Sequence, residues 1–125
     1  MGHTVLVVED QQDIASLAAL ILQGEGYTVL TAATGEDGLR LLMEQPVDLV
    51  LLDLMLAGVD GWEVCRCMRA EPSTADIPIL LFTVRRVQLD GDWPERVLIN
   101  GVINKPFERD DLVTMVRGTL TGQAA

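Results

Sequence analysis

Five side chains could do chemistry together: the adjacent acids Glu9 and Asp10, the acid Asp53, the hydroxyl of Thr83 and the ammonium of Lys105. Each stands at or near the end of a short apolar run. If those runs are neighbouring parallel strands, the acids converge. Three carboxylates within a few ångströms repel and raise one another's pKa. A hard divalent cation resolves that repulsion. Mg²⁺, or Mn²⁺ in its place, takes few carboxylates, keeps waters and leaves positions for phosphate oxygens. A hydroxyl and an ammonium are what a phosphoryl group needs around its oxygens. Taken singly, each residue has a plainer reading: acids that cap helices, a threonine in a turn, a lysine at the surface. The combination on successive strand ends is far more specific than any member.

The stretch 47–56, Val-Asp-Leu-Val-Leu-Leu-Asp-Leu-Met-Leu, must position the central acid. It is nearly all apolar and is bounded by Gln45-Pro46 and by Ala57-Gly58-Val59-Asp60-Gly61. That composition predicts a central strand buried on both faces. Asp53 falls where the run is ending, at the carboxyl edge where open parallel sheets bind ligands. A buried acid there needs a cation, a second acid sharing a proton, or access to water, because removing one partner of a buried pair costs about 3–5 kcal/mol.

Around it the sequence alternates. Thr4 to Val8 predicts a first strand, ending in Glu9-Asp10. Residues 11–25 predict a helix with Ile14, Leu17, Ala18, Ile21 and Leu22 on its apolar period and Asp13 in its first turn. Gly24-Glu25-Gly26 ends it; with no third glycine and no preceding strand, it is not a dinucleotide fingerprint. Residues 27–32 predict a second strand. Thr34 predicts an N-cap for a helix carrying Leu39, Leu42 and Met43, closed by Pro46. After the central strand, 61–70 predicts a helix with Val64, Cys65 and Met68 inward. Residues 77–82 predict a fourth strand, with Pro78 near its start. The stretch 85–100 is a poor helix, since Gly91, Asp92, Trp93 and Pro94 interrupt it. Residues 102–103 predict a short fifth strand and 108–120 a last helix with Leu112, Val113, Met115 and Val116 apolar. Residues 121–125 read as a loose tail. Five rounds of strand and helix predict an α/β fold, a doubly wound parallel sheet with helices on both faces, for which 2-1-3-4-5 is the flavodoxin-like order.

Composition narrows the function. The 125 residues fit one domain, 1–125, able to bury a core without staples. A formal charge of −10 argues against direct nucleic-acid binding. No apolar run approaches a membrane span, and Leu6 stands where a myristoylation motif wants a hydroxyl residue, so the expected location is cytoplasmic. Cys65 and Cys67 point to different helix faces and, with His3 the only histidine, read as reduced thiols rather than metal ligands. Trp62 and Trp93 read as packing or partner contacts.

The chain resembles the response regulator receiver domains of two-component signalling over nearly all its length. The residues that carry the resemblance are Val5 through Asp10, Gly26-Tyr27-Thr28-Val29, Asp48 through Gly61, Thr83 and Lys105-Pro106-Phe107. The resemblance implies that Asp53 accepts a phosphoryl group from a sensor histidine kinase or a phosphotransfer protein, within a phosphorelay. It implies that Glu9, Asp10 and Asp53, with the Met55 backbone carbonyl, hold Mg²⁺. It implies that Thr83 and Lys105 bind the phosphoryl oxygens, and that Lys105-Pro106 is a cis bond. The domain would catalyse only its own phosphotransfer and dephosphorylation, and would signal to an effector or output domain that the sequence does not name. Ala57 replaces the family's usual proline, Val84 its usual small residue, and Val102 its usual tyrosine or phenylalanine on strand 5. Without that aromatic, 85–100 is the expected conformational switch.

Other readings weigh less. A receiver-shaped interaction module working without phosphorylation would not need Asp53, Thr83 and Lys105 together. A hydrolase using an aspartyl phosphate would want a second acid where Met55 stands. A flavodoxin relative would want a phosphate-cradling loop where Glu9-Asp10 would repel it.

Overall fold

The structure is a computed structural model. It describes residues 2–54, 56, 61–83 and 99–122. Five parallel strands form one sheet in the order β2-β1-β3-β4-β5: β1 (Thr4–Val8), β2 (Thr28–Ala32), β3 (Leu49–Leu52), β4 (Ile79–Thr83) and β5 (Gly101–Asn104). The described helices are α1 (Gln12–Gly24), α2 (Gly35–Glu44), α3 (Gly61–Ala70) and α4 (Arg109–Thr121). The predicted fold class and strand order therefore hold. No described helix is long and apolar enough to cross a membrane.

Strand residues alternate between two cores. Leu6, Val8, Val50, Leu52, Ile79 and Leu81 join Leu42 of α2 and Trp62, Val64, Cys65 and Met68 of α3. Val5, Val7, Leu49, Leu51, Leu80 and Phe82 join Ala15, Ala18 and Leu22 of α1 and Leu112 and Val116 of α4. With both faces covered, β3 is buried at every position. That is why its sequence shows a continuous apolar run instead of alternation. Trp62 is a packing residue, 6% exposed.

Several sequence expectations are corrected. The central strand spans only Leu49–Leu52, well inside 47–56, because Asp48 turns its carboxylate back to accept from the Thr4 N–H at 2.7 Å. Strand β4 begins at Ile79; Pro78 precedes it and its carbonyl accepts from the Val50 N–H. Helix α4 runs through Thr121, closed by Gly122 in the left-handed region at φ 78°. Leu17 and Met43 do not face the core: they are 50% and 61% exposed. The buried line of α1 is Ala15, Ala18 and Leu22, and that of α2 is Gly35, Gly38 and Leu42. Small residues set both helix faces by letting the backbones approach the sheet. A Cβ on Gly38 would lie 2.9 Å from a Val8 methyl. The Thr34 cap is as predicted, its hydroxyl accepting from the Asp37 N–H at 3.1 Å.

Candidate functional site

Parallel pairing brings the expected residues to one edge. Val8 of β1 pairs with Leu52 of β3, so Glu9 and Asp53, one residue beyond each, emerge side by side. The Asp53 N–H donates to the Val8 carbonyl at 3.0 Å and the Glu9 N–H to the Ala32 carbonyl at 2.9 Å. Both acids are therefore fixed at their backbones. Thr83 pairs with Asn104 across β4 and β5, and Lys105 follows directly.

Glu9 is 2% exposed and Asp53 is 4% exposed; Asp10 is exposed. One carboxylate oxygen from each lies within 4.8 Å of the others. Lys105 Nζ enters this cluster, donating to Asp53 Oδ2 at 3.0 Å and to Glu9 Oε1. The Lys105-Pro106 peptide is cis. The other Glu9 oxygen accepts from the Gln11 N–H at 3.0 Å. Burial pushes the Glu9 carboxyl above its ordinary value. The hydrogen bonds from Lys105 and Gln11 pull it down, and the charge of Asp53 pushes it up again. Three acids facing one lysine make a donor set of hard oxygens with excess negative charge, which fits Mg²⁺.

The raised Glu9 value fixes a pH dependence. The folded state holds the Glu9 proton more tightly than the unfolded chain does. This stabilising contribution is fully present below about 4.5, the ordinary value, and is lost as pH rises through the raised folded value. Metal-free protein is expected to lose stability relative to Glu9→Gln as pH climbs through that window. Urea midpoints of the two proteins measured from pH 4 to pH 8 check this; a constant difference would contradict it.

Gly61 reads in the sequence as a turn residue, as the start of a helix and as part of the resemblance, but its close approach to the Asp53 backbone was missed there. A Cβ on Gly61 would lie 2.6 Å from Leu54 Cα and 2.8 Å from the Asp53 carbonyl oxygen. The start of α3 thus presses against the backbone of Asp53 and Leu54. Gly61→Ala must push that backbone aside, an overpacking cost of about 1–3 kcal/mol. A urea midpoint unchanged from wild type would refute the close approach.

Phe82 was also missed. Its ring lies under Lys105 Nζ, 4.9 Å from centroid to nitrogen. Other expected residues fall outside the description. The Thr83 side chain, Met55, Ala57, Val84 and 85–98, with Trp93, lie outside the described residues. Of the stretch 85–100 only Ile99 and Asn100 are described; the Asn100 carboxamide oxygen accepts from the Ile79 N–H at 2.9 Å. Val102 is partly buried and packs against the α2/α3 core.

Comparison with known proteins places this geometry. The family profile "Response regulator receiver domain" matches residues 5–117. The transcriptional regulatory protein AfsQ1 of Streptomyces coelicolor is 47% identical over 87 residues, covering 70% of this chain and 37% of that protein. The chain thus spans little more than a third of that relative. Among solved structures, a response regulator candidate from Chloroflexus aurantiacus J-10-fl superposes with a TM-score of 0.88 at 33% identity, covering 97% of this chain and 99% of that one. The receiver domain of the sensor histidine kinase PA1611 from Pseudomonas aeruginosa PAO1 gives 0.87 at 27% identity, over 97% and 99% of the two chains. That structure has a magnesium ion coordinated in its active-site cleft.

Proposed function

The chain belongs to the response regulator receiver domain family of two-component signalling, and from that premise we propose that Asp53 is its phosphoacceptor. The observation that carries this is the placement of Asp53. It is a nearly buried acid at the carboxyl end of the central strand, beside Glu9 and Asp10 and in contact with Lys105. An Asp53 carboxylate oxygen would attack the phosphorus of a phosphohistidine on a sensor histidine kinase or phosphotransfer protein. The P–N bond breaks, and the leaving imidazole nitrogen takes up a proton from solvent. Hydrolysis of the aspartyl phosphate then returns the carboxylate and inorganic phosphate.

Glu9, Asp10 and Asp53 would hold Mg²⁺, with the Met55 carbonyl as a further ligand. When bound, the cation neutralises the charge on the phosphoryl oxygens. Lys105 already reaches Asp53, so its ammonium meets the charge that arrives with the phosphoryl group. Thr83, at the end of β4, would donate its hydroxyl to another phosphoryl oxygen. The domain turns over no other substrate in this reading. It acts in the cytoplasm, and any transcriptional output would lie in sequence linked to this domain.

Incubation with acetyl phosphate, with and without Mg²⁺, tests the proposal. One phosphoryl group per chain, dependent on the cation, is expected; no mass gain with either would contradict it.

A further inference from the structure

We propose that the Phe82 ring is a positioning residue for Lys105, a seat that keeps the ammonium in the cleft. This rests on the phosphoacceptor reading for its consequence, though not for its geometry. Lys105 is held from two sides. Glu9 and Asp53 accept its hydrogen bonds on one, and the Phe82 ring lies 4.9 Å from Nζ on the other. The lysine side chain is only 7% exposed, so the contact with the ring is largely dry. The electron-rich face of an aromatic ring attracts a cation, most strongly where water is excluded. Phe82 is itself fully buried, in the core shared with α1 and α4. Phe107, two residues after Lys105, packs against it with ring centroids 5.2 Å apart and planes tilted by 52°. The ring is therefore fixed by its strand, its core and its aromatic neighbour.

The two sides of this seat differ in kind. Asp53 would take the phosphoryl group and Glu9 would help to hold the cation, so the bonds of both to Lys105 must be exchangeable. The ring takes no part in that chemistry, and its attraction persists whichever oxygen the ammonium is bonded to. An aliphatic side chain at position 82 would fill the core but could not supply this.

The test compares wild type, Phe82→Leu, Phe82→Met and Phe82→Tyr. In Phe82→Leu and Phe82→Met, labelling of Asp53 by acetyl phosphate at saturating Mg²⁺ is expected to slow about threefold to thirtyfold. Phe82→Tyr, which keeps the ring face, should restore it. On a Lys105→Met background Phe82→Leu should slow labelling no further, whereas a general core defect would slow it on both. The ring current should also place the Lys105 ε-methylene protons upfield of ordinary lysines by NMR in wild type, and Phe82→Leu should remove the shift. An ordinary ε-methylene position in wild type, or equal slowing on the Lys105→Met background, would overturn the seat. Failure of wild type to take up any phosphoryl group would sink the phosphoacceptor reading, and the ε-methylene position would still decide the geometry.

Discussion

Replacing Lys105 with methionine is expected to cost the metal-free domain about 3–5 kcal/mol, the usual penalty for leaving a buried charge without its partner. Lys105 is the cation shared by Glu9 and Asp53, both almost fully buried. Methionine fills similar volume and leaves the packing against Phe82 in place, so the loss reports charge. The deficit should shrink at acid pH, where Glu9, whose carboxyl is pushed above its ordinary value by burial, takes up a proton. It should also shrink when Mg²⁺ is added, since the same oxygens then have another cation. Urea titrations at pH 7 and pH 4, with and without Mg²⁺, read all of this. A deficit that stays the same across pH and Mg²⁺ would mean that Lys105 matters for packing alone.

Mg²⁺ itself is expected to stabilise the wild-type domain by about 2.7 kcal/mol at a hundredfold excess over its Kd, as any ligand specific to the native state does. Asp10→Asn should abolish most of that gain. Asp10 is exposed, so the substitution removes a charge without opening the core, and metal-free stability should barely fall. Loss of the Mg²⁺ response with the metal-free midpoint preserved separates a ligand from a structural residue. Melting curves that ignore millimolar Mg²⁺ in wild type would remove the proposed metal site.

The sequence revealed most where burial leaves a strong pattern. β1 and β3 are covered on both faces, so their apolar runs and the acids that end them are visible without coordinates. Alternation does not order the strands; 2-1-3-4-5 is the flavodoxin-like option for such a sheet, and the observed order brings Glu9, Asp53 and Lys105 to one edge as expected. Helix faces were less legible. Ala18, Leu22 and Leu42 are buried as the apolar period expects, but Leu17 and Met43, which also fit it, are exposed, while Ala15, Gly35 and Gly38 are buried instead. Small residues give little hydrophobic signal, although they decide which face can approach most closely. Contacts between residues distant in the chain were illegible for a different reason. The ring of Phe82 under Lys105 and the pressure of Gly61 on the Asp53 backbone depend on how three strands and a helix meet. No local pattern encodes them. Thr74 is similar: a residue 3% exposed, its hydroxyl donates to the Met68 carbonyl at 2.7 Å, inside a loop whose composition reads as merely polar.

The identity of the phosphoacceptor is tested most directly by chemical trapping. Wild type and Asp53→Asn are incubated with acetyl phosphate and Mg²⁺, then reduced with borohydride, which converts an aspartyl phosphate to homoserine. Peptide mass spectrometry should find homoserine at position 53 in wild type, at no other acid, and nowhere in Asp53→Asn. Homoserine at position 10, 5-hydroxynorvaline (the reduced glutamyl phosphate) at position 9, or an Asp53→Asn protein that still gains a phosphoryl group, would contradict the account.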